Sequence, residues 1–125
     1  MKEINGDNLN EFLNLYHYLH DSNILNINYD IKEATLEMFI KVFWKGEVKL
    51  REDNTYETAN IKLRLLFHDV EKLKVYELFS YDYINDVNIE YVSIDNKKYI
   101  KFEDADNLDF LVVSEKLEYE EVPCE

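Results

Sequence analysis

Residues 24–42, ILNINYDIKEATLEMFIKV, decide the fold class. Leu25, Ile27 and Tyr29 alternate with Asn26, Asn28 and Asp30. Further on, Leu36, Met38, Ile40 and Val42 alternate with Thr35, Glu37 and Lys41, while Phe39 and Phe43 fall on the more polar side. Successive side chains leave a strand on opposite faces, so a period of two marks a half-buried strand. With Asp30-Ile31-Lys32-Glu33 as the connection, the two runs are expected to form an antiparallel hairpin, one face on the core and one in water.

Upstream the period is 3.6. Leu9, Phe12, Leu13, Tyr16 and Leu19 recur at three-and-four spacing, the buried stripe of a helix expected over about residues 8–19. Asp7 or Asn8 is placed to cap it, with Glu11 completing a capping box after Asn8. Downstream the signal weakens between Trp44 and Thr58. Alternation returns in Ile61, Leu63, Leu65 and Phe67 against Lys62, Arg64 and His68. Residues 69–86 fit helical and strand spacing equally and are expected to form a short helix or irregular crossover. Three strands follow, at Val87–Ile94, Lys98–Glu103 and Leu108–Glu120. Asp95-Asn96 is a hairpin turn between the first two, since both residues tolerate positive φ. Pro123 ends the last strand, having no amide hydrogen for a ladder.

The expectation is an α+β domain spanning residues 1–125. It has an N-terminal helix and a β-rich region over about residues 23–122, an antiparallel, mostly meandering sheet of about six strands, curved or packed on the helix. With 125 residues the chain is too short for two independent cores. Its apolar runs are only a few residues long, so a spanning helix of about 20 is excluded. The opening MKEINGDNLNEF has no apolar stretch and carries acids early, so a cytoplasmic location is expected. One cysteine, Cys124, excludes a disulfide framework and a cysteine-based zinc site.

Charge narrows the partners. The chain carries 27 acids, 14 Lys and Arg, and a formal net charge of −13. Phosphate polyanions and anionic membrane surfaces are repelled by such a body, so neither nucleic acid nor membrane is an expected partner. Between Glu103 and Glu125 nine acids face Lys116 alone. This acidity either keeps the domain dissolved or attracts a basic protein and raises its association rate.

Chemistry-bearing motifs are sparse. His20-Asp21-Ser22 contains the residue types of a hydrolytic triad, but functional triads are assembled from separate elements. The structural reading is that Asp21 and Ser22 accept loose amides where helix gives way to strand. His20 then sits at the helix C-terminus, where the dipole favours its charge. His17, His20 and Asp21 share a face without a third strong ligand at fixed spacing, and His68-Asp69 is equally non-specific, so no metal is expected. Gly6 and Gly46 are the only glycines, which excludes a glycine-rich phosphate loop. No catalytic residue and no cofactor is assigned. The run Tyr76-Glu77-Leu78-Phe79-Ser80-Tyr81-Asp82-Tyr83 mixes aromatic anchors with acids. Tyrosine is a favoured interface residue because it is large, stiff and able to hydrogen-bond.

Leu19-His20-Asp21-Ser22, followed by the alternating Ile24–Tyr29 and Thr35–Val42 segments, resembles small bacterial proteins of the polymorphic-toxin immunity type. Those proteins place a His-Asp-Ser motif before the first strand of a β-rich domain. The acidic end, Asp109-Phe110-Leu111-Val112-Val113 through Leu117-Glu118-Tyr119-Glu120, is similar to theirs. The resemblance implies a non-enzymatic inhibitor that covers the active site or substrate path of a co-encoded toxin. It carries over no catalytic residue. The expected partner-binding residues are Glu77, Tyr81, Asp82, Tyr83, Glu118, Glu120 and Glu121, with His20, Asp21 and Ser22 as a structural motif. Two other functions fit the same sequence: a carrier of a small apolar ligand lined by Phe39, Phe43, Trp44 and Tyr99, and an accessory domain that oligomerises through strand edges.

Overall fold

Residues 24–42 pair as the expected hairpin, but the first arm does not bury the expected face: a bulge between Ile24 and Asn26 leaves Ile24 buried and Leu25 and Tyr29 exposed. In the computed structural model the described residues are 1–75, 82–84, 86–104 and 110–123. Their elements run β1 (Lys2–Ile4), α1 (Leu9–Leu15), β2 (Ser22–Asp30), β3 (Thr35–Val42), β4 (Ile61–Val75), β5 (Asp82–Ile84), β6 (Val87–Ile94), β7 (Lys97–Asp104) and β8 (Phe110–Val122). All pairings between these strands are antiparallel.

Two three-stranded meanders, β2-β3-β4 and β6-β7-β8, meet along the long β4–β8 pair, giving the order β5-β2-β3-β4-β8-β7-β6. Strand β1 adds to the edge of β8 that β7 leaves uncovered, with Ile4 opposite Leu117 and Lys2 opposite Tyr119. The hydrogen-bonded order is open. Its two end strands are nevertheless neighbours in the chain, separated only by Asn85 and Asp86. Three peptide units span at most about 11 Å, so the sheet must curl until its ends meet.

The curl has a local cause. In β4 the buried residues are Leu63, Leu65 and Phe67, and in the C-terminal part of β8 they are Leu117 and Tyr119. Past Asp69, which takes φ 53°, the buried positions of β8 become Phe110, Val112 and Ser114, with Val113 buried as well. Glu115 and Lys116 are both exposed, so the inward parity changes opposite Asp69, between the register pairs His68–Lys116 and Val70–Ser114. Both long strands thus bend at one level and fold the two meanders onto a single core. Phe67 meets Phe102 edge-on at 5.5 Å, and Phe102 stacks on Phe110 at 5.4 Å. At the other end Phe12 of α1 lies 5.2 Å from Tyr16 and 4.7 Å from Tyr119.

Several expectations need correction. The helix ends at Leu15, not near residue 19, and the capping box does not form. Asn8 occupies the N-cap, but its Oδ1 accepts from the Asn5 amide at 2.8 Å and its Nδ2 donates to the Glu3 carbonyl. The stripe itself is as read: Phe12, Leu13, Tyr16 and Leu19 are buried. Residues 69–75 continue β4 rather than starting a crossover, and residues 82–84 form β5. The turn at Asp95-Asn96 holds φ 51° and 67°, as both residue types allow. The β2–β3 connection is looser than a tight turn, with Ala34 at φ 54° and its carbonyl accepting from the Val70 amide.

Candidate functional site

Beyond α1 the backbone does something costly. His17, Tyr18 and Leu19 hold φ of 51°, 56° and 56°, followed by Asp21 at 60°. Left-handed conformation costs a residue with a Cβ roughly 1–2 kcal/mol, so this turn persists only because its surroundings over-determine it. Leu19 is fully buried. The carbonyl of Leu15 accepts from the Gly46 amide at 2.7 Å, and the Gly46 carbonyl accepts from His17 Nε2 at 2.6 Å. A carbonyl cannot donate, so His17 carries its proton on Nε2. Gly46 itself takes φ 63°, for which glycine pays no steric penalty. Tyr18, 45% exposed, gains little from burial. Tyr18→Gly is therefore expected to stabilise the fold by about 0.5–1 kcal/mol, the relief of strain exceeding glycine's added freedom when unfolded. Urea midpoints of the two chains check it.

This turn and the segment after β3 enclose a groove of about 280 Å³ lined by His17, His20, Asp21, Trp44, Val48 and Tyr56. The Trp44 and Tyr56 rings stand nearly perpendicular, at 84°, with centroids 6.4 Å apart. Trp44 Nε1 donates to Asp21 Oδ2 at 3.2 Å. His20 lies between two carboxylates, with Nδ1 3.1 Å from Asp86 Oδ1 and Nε2 3.4 Å from Asp21 Oδ2. Asp86 belongs to the link between β5 and β6, so the His20 contact ties together the two ends of the curled sheet.

The structure places the expected residues in two groups. His20, Asp21 and Ser22 enter β2, where Ser22, Asn23 and Ile24 pair with Ile84, Tyr83 and Asp82. The motif and the Asp82–Tyr83 backbone are therefore adjacent. Glu77 and Tyr81 lie outside the described residues. Because α1 stops at Leu15, the motif sits one left-handed turn beyond the helix rather than capping it. Ser22 is fully buried and, among the described residues, its Oγ has no hydrogen-bond partner, so it does not reach His20 in triad geometry.

The second group lies on β8. Glu118 pairs with His68 at 2.5 Å, and Glu120 with Arg64 at 3.1 Å. Arg64 also holds Glu37 at 2.6 Å. Glu121 binds Lys45 at 2.7 Å and accepts from the Tyr16 hydroxyl at 2.8 Å. These acids thus already brace β8 against β4, α1 and the segment that carries Trp44.

The pairing shows in their proton affinities. The His68 hydrogen bond holds Glu118 below its ordinary value of 4.5, and the Lys45 bond does the same for Glu121. A carboxylate depressed in the fold adds stability above its unfolded value, and that stability is lost as pH falls through the folded value. Burial first, then the bond to Glu121, raises Tyr16 above its ordinary 10.0, which adds stability lost as pH rises past that value. Stability should plateau near neutrality and decline below about pH 4.5 and above about pH 10. Glu121→Gln is expected to flatten part of the acid limb in a series of urea titrations.

Val48 and Tyr56 were missed by sequence reasoning because the stretch from 44 to 58 has no periodicity, and Trp44 was expected in an apolar pocket with Phe39, Phe43 and Tyr99 rather than here. The usable signal was the lone tryptophan followed two residues later by one of only two glycines. The expected ligand pocket is not assembled. Phe39 and Phe43 lie under the ammonium groups of Lys62 and Lys41 on the sheet, and Tyr99 is on β7 with β4 and β8 between it and β3. Among the described residues, no cluster of three or more His, Cys, Asp or Glu is placed to hold a metal ion, and no helix is long and apolar enough to cross a membrane.

Fold and site together define a class: a curled, open antiparallel sheet wrapped on one short helix, with a strained turn bordering an aromatic groove. No protein-family model, no curated protein and no solved structure matches this chain.

Proposed function

We propose that this chain is a non-enzymatic, acidic protein-binding module of the immunity type, which inhibits a basic bacterial toxin domain by covering its working surface. The observation that carries the reading is an exposed apolar shelf on a body of net charge −13. Leu50 and Tyr56 are bridged to each other, each 59% exposed, and Val48 beside them is 36% exposed. Exposed apolar side chains held together on an otherwise charged surface are what an interface offers a partner. The surrounding acidity favours a basic one and speeds its approach. The backbone of Asp82–Ile84 pairs with Ser22–Ile24, next to His20 and Asp21 of the groove.

The test is a titration with the basic protein that co-purifies from the cell of origin, purified in its turn. Substituting the anchors, Tyr81→Ala with Tyr83→Ala, is expected to cost about 2 kcal/mol or more in binding. Substituting the acids, Glu118→Gln with Glu120→Gln, is expected to slow association and weaken its salt dependence. Wild-type affinity in both variants would remove this surface. A chain that inhibits no activity of the captured protein would remove the inhibitor reading.

A further inference from the structure

We infer that the groove beside the left-handed turn receives an arginine side chain of the protein partner, its guanidinium lying in the corner formed by Trp44 and Tyr56 and facing Asp21. The inference rests on the protein-binding reading and adds the chemistry of its central contact.

Size is the first argument. At about 280 Å³ the open groove has room for a single long side chain. Shape is the second. The two aromatic rings meet edge to face, at 84° and 6.4 Å between centroids, so their faces form an open corner. A cation near an aromatic face is attracted by the negative centre of the ring, most strongly by tryptophan. Charge is the third. Asp21 lines the groove, and Asp86 joins it through His20. Asp21 also fixes the tryptophan, since it accepts from Trp44 Nε1, so the carboxylate and the ring are positioned together.

Arginine fits this set better than lysine. Its planar guanidinium stacks on rings while its edge forks towards a carboxylate, and it is less strongly hydrated than an ammonium. The strained turn has a role in the same picture. It brings His17 and Asp21 to the groove wall from opposite ends of five residues, of which four hold left-handed conformations. Such strain clusters at ligand clamps. A basic partner already drawn by the net charge of −13 would insert this side chain last, as the anchor.

Trp44 is the only tryptophan, so its fluorescence and its single indole N–H resonance report on this groove alone. The experiment titrates the intact chain with N-acetyl-arginine methylamide, and separately with the lysine, leucine and citrulline analogues. Citrulline has nearly the shape of arginine without the charge. The expected result is saturable binding of the arginine compound, at least about fivefold tighter than citrulline and tighter than leucine, with lysine between. Asp21→Asn and Tyr56→Leu should each weaken arginine binding severalfold, and Asp21→Asn should leave citrulline unaffected. Tyr56 is mostly exposed, so its replacement does not threaten the fold.

Equal binding of leucine or citrulline would overturn the inference, making the groove a plain apolar cleft. So would a titration without saturation, or lysine exceeding arginine. None of these results bears on whether the chain binds a protein, which the partner titration decides by itself. A partner bound with wild-type affinity by Trp44→Ala would likewise remove the anchor and leave the protein-binding reading standing.

Discussion

Phe102→Ala is expected to cost about 3–5 kcal/mol of stability, the range for truncating a fully buried phenylalanine. A domain of this kind holds about 5–15 kcal/mol in total, so the loss is a large share of its stability. Phe102 is fully buried and touches Phe67 on one side and Phe110 on the other. Those rings come from β4, β7 and β8, on both sides of the bend at Asp69. Losing the middle ring therefore empties the place where the two meanders share a core. Urea denaturation followed by circular dichroism measures the loss. Leu50→Ala, at a residue 59% exposed, serves as the control and should shift stability by about 0.5 kcal/mol or less. A cost below about 1 kcal/mol at Phe102 would mean that the two halves do not pack on one another.

Ser22→Ala should act in the opposite direction, stabilising the fold by about 1–2 kcal/mol. Its hydroxyl is fully buried and has no hydrogen-bond partner among the described residues. A buried polar group without a partner loses its hydration and gains nothing in return, at a cost of about 1–3 kcal/mol. Alanine keeps the Cβ and the backbone pairing with Ile84 while removing that oxygen. The same titration reads the gain. A loss of stability instead would show that the hydroxyl is satisfied in solution. The sign matters for the motif too: a serine whose removal strengthens the fold is not retained for folding.

Much of the architecture was legible because period and burial are local. The alternation at Leu36, Met38, Ile40 and Val42 needs no distant contact to be read, and all four are fully buried. Asp95-Asn96 announces its turn through residue type alone. The helix stripe was equally clear, but its end was not. Tyr18 and Leu19 continue the helical pattern in sequence, and only the capture of the Leu15 carbonyl by Gly46, far along the chain, stops the helix at that point. Strand β1 was hidden because three residues show no period, and it exists through its pairing with β8.

The acidic end was legible as charge and not as geometry. Counting acids identifies a negative stretch, but a count cannot say that Glu118, Glu120 and Glu121 meet His68, Arg64, Lys45 and Tyr16. The basic residues among them come from β4 and from the loop after β3, fifty residues or more away in each case. Val48 and Tyr56 were invisible, and Trp44 was assigned to a different pocket, for a related reason: a groove is a relation between segments that no window of sequence contains.

By itself, the order of residues determined the class of fold, the single core, the antiparallel pairing of neighbouring strands and the overall sign of the surface. These follow from side-chain periodicity, turn chemistry and charge, each readable over a few residues. The tertiary structure alone decided the junction of β4 with β8, the bend at Asp69, the left-handed turn at His17–Leu19 and the groove beside it. Each is a long-range arrangement whose local cost is repaid by burial and hydrogen bonds from elsewhere in the chain, so no local rule could announce it.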